Sequence, residues 1–165
     1  MPAVLRELLE LEFDYADGDG YDFEPYTEFL SEEETRSWIQ AWTGNKELSG
    51  EEYLVFGQDG TGGYAAIWCV RPGKALLEQP IVFFGSEGDM GVVAQDFANF
   101  LWLLAGGFGP LEAVEYPGAN REANPEFTAF ARRHAGVAPI NPNDVIAKAC
   151  AEFPTFEEQV RSLCR

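Results

Sequence analysis

Along residues 3–12 the apolar positions Val4, Leu5, Leu8 and Leu9 recur at i, i+1, i+4 and i+5. That spacing predicts a short amphipathic helix. Residues 14–26 break the pattern with Asp, Gly and Tyr and read as a loop with room for a short strand. Ser31 stands three residues before Glu34, the capping-box spacing. The helix it opens carries Trp38, Ile39 and Trp42 on one face, and Gly44 stops it near Thr43. Glu32, Glu33 and Glu34 fall in its first turn, where the helix dipole favours acids.

The period then changes. Residues 52–56 (EYLVF) and 63–70 (GYAAIWCV) read as two strands joined by a glycine-rich turn. Asp59, Gly60, Gly62 and Gly63 give that turn its hairpin character. A third strand is expected at 80–84 (PIVFF), followed by the loop GSEGDMG. Val93, Phe97, Phe100, Leu101 and Leu104 share one side of a helix predicted from about Val92 to 104, with Trp102 on the other side. A further strand is expected around 111–116 (LEAVEY). Asn124-Pro125 opens a helix through His134. Asn141-Pro142 and the capping box Thr155…Glu158 open two short final helices. Helices, then strands, then helices argue for an α+β fold, and a chain of 165 residues fits a single domain, 1–165.

Charge narrows the function. The chain has 28 Asp and Glu against 11 Lys and Arg, a formal charge of −17. Such a surface repels phosphate and anionic lipid and attracts cations. The Arg132-Arg133 pair is too little for nucleic-acid binding. No apolar run approaches the ~18 residues of a membrane span. The N-terminal residues lack the basic start and apolar core of a signal peptide. Cys69, Cys150 and Cys164 are an odd, widely spaced set, which suggests neither zinc nor a disulfide framework but reduced thiols in a cytoplasm.

Motifs for chemistry are incomplete. An Asp17-to-Glu28 calcium loop would have Tyr21 at its fifth position and Asp22 where a glycine is required. FGQDGTGG lacks the Gly-Lys-Ser/Thr ending of a phosphate loop. GSEGD sets its glycines at the wrong offsets for a nucleophile elbow. His134 is the single histidine, which leaves little for a triad or an imidazole metal site. Neither catalytic residues, nor a metal, nor a cofactor are expected.

Residues 52–104 resemble the core of SMI1/KNR4 (SUKH) proteins. The resemblance is carried by Phe56, Asp59, Gly60, Gly62 and Tyr64, then Pro80 to Val82, then Val93, Ala94, Phe97, Phe100 and Leu101. It covers about a third of the chain, and its motifs are mostly structural. At the N-terminus this chain has Glu24-Pro25-Tyr26-x-x-Phe29-Leu30 where many members carry a Leu-Pro pair and an Asn-Gly-Gly turn. The resemblance implies a cytoplasmic module with a mixed, largely antiparallel sheet flanked by helices. It also implies a non-catalytic immunity protein that binds a cognate toxin domain, with a regulatory interaction module as the alternative. An acidic inhibitor suits a basic, nuclease-type toxin. The expected contact residues are Tyr15, Asp17, Asp19, Tyr21 and Asp22 in the first loop, Glu32, Glu33 and Glu34 at the helix start, and Glu87 and Asp89 in the later loop. Tyr15 and Tyr21 are the candidate anchors.

Overall fold

Strand pairing follows chain order. A computed structural model describes residues 1–165 and shows a five-stranded sheet in the order β1 (Glu24–Pro25), β2 (Tyr53–Gln58), β3 (Tyr64–Trp68), β4 (Ile81–Phe84), β5 (Met90–Ala94). Every neighbouring pair is antiparallel, so the sheet contains no parallel pair. Seven helices surround it: α1 (Ala3–Leu8), α2 (Glu32–Thr43), α3 (Phe97–Ala105), α4 (Pro110–Glu115), α5 (Pro125–His134), α6 (Pro142–Glu152) and α7 (Phe156–Leu163). The arrangement is a single-domain α+β fold. No helix is long and apolar enough to cross a membrane.

Both faces of the sheet are covered, so the strands are runs of apolar residues rather than alternations. Phe56, Ala65, Ile67, Ile81, Phe83 and Val93 face α1, α3 and α5. Tyr53, Val55, Ala66, Val82, Phe84 and Val92 face α2 and α7. Helix α6 serves both cores, with Val145 and Ile146 in the first and Ala149 in the second. Phe84 is the hub of the second core. Its ring lies 5.1 to 5.8 Å from those of Trp38, Trp42, Tyr53 and Phe156, all edge to face.

Helix α2 follows its sequence signals. The Ser31 hydroxyl accepts from the Glu34 N–H at 3.1 Å, and the Glu34 carboxylate accepts from the Ser31 N–H at 3.1 Å. Gly44 closes the helix at φ +69°. Two expectations fail. Residues 90–94 form strand β5 rather than the start of a helix, because β-branched Val92 and Val93 complete the ladder with β4. The helix begins only at Phe97, where Asp96 accepts from the Asn99 N–H at 2.8 Å. The segment expected as a strand at 111–116 is helix α4. Pro110 takes its first position, and Glu112 reaches back to the Gly109 N–H at 3.0 Å. Trp102 is buried, donating to the Val137 carbonyl at 3.2 Å.

Candidate functional site

Three loops meet at one end of the sheet. The turn between β2 and β3 is built by Asp59. Its Oδ1 accepts from the Thr61 N–H (2.7 Å), the Thr61 hydroxyl (2.8 Å) and the Gly63 N–H (2.9 Å). Gly63 has to be glycine, since a Cβ there would lie 2.7 Å from both Asp59 Oδ2 and the Phe83 ring. The loop at 14–22 leans on this turn, with Asp22 Oδ1 accepting from the Gly60 N–H at 2.8 Å. The loop at 85–89 joins it from the β4–β5 side, where the Ser86 hydroxyl donates to the Thr61 hydroxyl at 3.1 Å.

The first loop is held from within. It closes on itself through Tyr21 N–H to the Asp14 carbonyl (2.8 Å) and Gly20 N–H to the Tyr15 carbonyl (2.9 Å). Arg121 donates to the Gly20 and Gly107 carbonyls. Buried Glu112 accepts from the Asp22 N–H at 3.3 Å. The Tyr21 hydroxyl donates to the Leu104 carbonyl. Tyr21 is therefore a correction: it is buried, its hydroxyl pKa pushed up by desolvation, and it pins the loop rather than offering a contact. Tyr15, at 57% exposure, stands on the rim of a groove of about 570 Å³ that Asp22, Asp59 and Gly60 also line.

The meeting of loops concentrates negative charge. Glu115, at the end of α4, has its pKa raised by desolvation and then by the carboxylates of Asp89, Asp59, Glu87 and Asp22. Glu112 is raised by burial, against the opposing pull of two backbone N–H groups and Arg121. The three ion pairs of the protein are Arg71–Glu152, His134–Glu7 and Arg161–Glu157. None involves Asp22, Asp59, Glu87, Asp89 or Glu115. Asp59 Oδ2 is buried without a hydrogen-bond partner. Beside Asp89 and Glu115, exposed Tyr116 and Glu157 line a second hollow of about 440 Å³.

Of the contact residues expected from sequence, the fold thus unites Asp22, Glu87 and Asp89, with Tyr15 nearby. Asp17 and Asp19 are exposed further out on the loop. Glu32, Glu33 and Glu34 lie apart, on the helix that covers the α2 face of the sheet. Glu115 and Tyr116 were hidden by the strand-like text LEAVEY. The Gly109-Pro110-x-Glu112 spacing was the signal that could have found them.

The remaining candidates for chemistry have structural places. His134 meets Glu7 at 3.2 Å and packs on Phe130, tying α5 to α1. Cys69, Cys150 and Cys164 are unpaired, and burial pushes the thiols of Cys69 and Cys150 up, away from thiolate. What the corner supplies is attraction for cations and a set of acceptor oxygens on braced loops. Comparisons with protein-family models, with curated proteins and with solved structures find no match, so the SMI1/KNR4 resemblance rests on its residues alone.

Proposed function

We propose that this protein is a non-catalytic binding module that takes a basic protein partner at the acidic corner. The observation that carries the reading is the convergence of Asp22, Asp59, Glu87, Asp89 and Glu115 without an ion pair to any of them. Like charges held together oppose folding. Braced loops keep them together here, and a cationic side chain from a partner relieves the repulsion. Attraction of this kind acts chiefly on the rate of encounter and on the choice of partner.

The resemblance to SMI1/KNR4 proteins takes the reading one step further. The partner is a basic, nuclease-type toxin domain, and the module neutralises it in the cytoplasm. A nuclease has to attract phosphate, so an acidic surface matches the part of it that must be covered. The test starts from the neighbourhood of the gene. A toxin domain encoded there is purified, and its binding is measured with the wild type and with an Asp22→Asn, Glu87→Gln, Asp89→Asn variant. Tight wild-type binding, weakened in the variant, is the expected result. A neighbourhood without a toxin, or a toxin that does not bind, removes the immunity reading. Equal affinities for the two proteins remove the corner.

A further inference from the structure

We propose that the cleft between the first turns of α2 and the sheet at Tyr64 receives an arginine side chain of the basic partner. This rests on the reading above and adds a second contact, separate from the corner. The cleft holds about 530 Å³ and is lined by Leu30, Glu33, Glu34, Ser37, Trp38 and Tyr64. The Trp38 and Tyr64 rings have centroids 5.2 Å apart with planes at 57°, so they form an angled aromatic wall. Both are half-buried. Behind them, Trp38 stands edge to face against Tyr53 and Phe84, at 6.2 and 5.1 Å, which fixes the wall before anything binds.

The wall has an unspent donor and a negative rim. Trp42 and Trp102 give their indole N–H groups to backbone carbonyls. Trp38 has no acceptor in the protein, and its nitrogen is not sealed from solvent. Glu33 and Glu34 are exposed at the mouth. Glu34 uses Oε2 for the Ser31 cap, leaving Oε1 free. An adjoining cleft of about 590 Å³ shares Leu30 and Glu34 and adds Glu24, Glu28 and Tyr26. No basic residue lines either cleft; Arg36, on the same helix, lines a different one beside Glu32 and Glu51.

Aromatic faces beside carboxylates select a planar cation. A guanidinium stacks on a ring and forks toward a carboxylate, whereas an ammonium does only the second well. The two clefts run together along 24–38, so an extended segment of a protein can lay successive side chains into them. This favours a basic protein over a free small cation as the occupant.

The test is a titration of ¹⁵N-labelled protein with blocked tetra-arginine, tetra-lysine and neutral tetra-citrulline peptides. The Trp38 indole N–H signal is assigned by its loss in Trp38→Phe. Tetra-arginine is expected to shift it saturably, and about threefold more tightly than tetra-lysine, the scale of an exposed cation–π contact. Tetra-citrulline is expected to leave it in place, and Glu33→Gln, at an exposed site, to weaken the arginine effect. An unmoved Trp38 signal at saturating tetra-arginine overturns the inference. Equal affinity for arginine and lysine also overturns it, as does an arginine effect unchanged by Glu33→Gln. The Gly60 and Asp89 amides report on the corner in the same spectra. Movement there without Trp38 removes only this cleft, movement of Trp38 alone removes the corner, and movement of neither removes both.

Discussion

At the scale of single residues, side chains that look alike in the sequence do opposite work. Tyr15 and Tyr21 stand six positions apart in one loop, yet one is exposed and the other donates to Leu104 from within the core. Tyr21→Phe should cost about 1 kcal/mol of stability, the usual net worth of such a hydrogen bond. Urea unfolding measures it, and faster exchange of the Gly20 and Tyr21 amides should accompany it. Glu115 gives a dependence on pH whose sign can be worked out. Its folded pKa is raised by desolvation and by Asp89, Asp59, Glu87 and Asp22. The folded state therefore holds its proton to higher pH than the unfolded chain, and stability falls as pH climbs from the ordinary glutamate range through the raised value. Glu115→Gln removes that loss. The gap between variant and wild type in urea midpoint should be near zero in acid and widen toward neutral pH. A gap independent of pH would mean that the folded state does not raise Glu115 at all.

At the scale of elements, local signals were legible wherever they agreed with one another. The Ser31…Glu34 box, Gly44, the turn at 59–63 and the caps Asn124 and Asn141 all appear where spacing placed them. The boundary near Val92 was misread because Val93 fits both an apolar helical face and a buried strand. Pairing with β4 decided it, and no local pattern shows that pairing. The 111–116 segment departs for the reverse reason: Leu111, Ala113, Val114 and Tyr116 make a strand-like apolar run, while the Pro110 and Glu112 signals favour the helix that forms. Two caps test how far such signals carry energy. Asp96 accepts from the Asn99 N–H, so Asp96→Ala should cost about 1 kcal/mol. The capping box expected at Thr155…Glu158 does not form: Thr155 makes no cap to its helix and only receives the Gln159 amide at 2.8 Å. Thr155→Ala should therefore cost clearly less in the same thermal unfolding experiment. Similar losses at both positions would show that cap geometry does not rank them.

At the scale of the whole molecule, one sheet divides two cores and the surface carries a charge of −17. The fold class was readable from the order of elements, but the site was not, because it is made by loops more than 90 residues apart in sequence, from Asp22 to Glu115. Long-range attraction should show in kinetics. Association with a basic partner should slow steeply as salt rises, since the screening length falls to about 8 Å at physiological ionic strength. Stopped-flow measurements at two salt concentrations check this. An Asp17→Asn, Asp19→Asn variant, altered outside the corner, should keep most of the wild-type rate, whereas Asp22→Asn, Glu87→Gln, Asp89→Asn should associate more slowly and with a shallower salt dependence, the rest of the −17 charge supplying what remains.

The sheet also has two borders, and each carries a feature that hinders further pairing. Strand β1 is two residues long and ends in Pro25, which has no N–H to offer, while α6 packs along β5 at the other border. A row of free backbone groups is the template on which sheets of different molecules join into fibrils. Here that row is shortened at one border by a two-residue strand ending in proline, and α6 packs against β5 at the other. Its strands, among the most apolar and aromatic segments of the chain, are thereby offered few places to pair with a second copy while the helices stay docked.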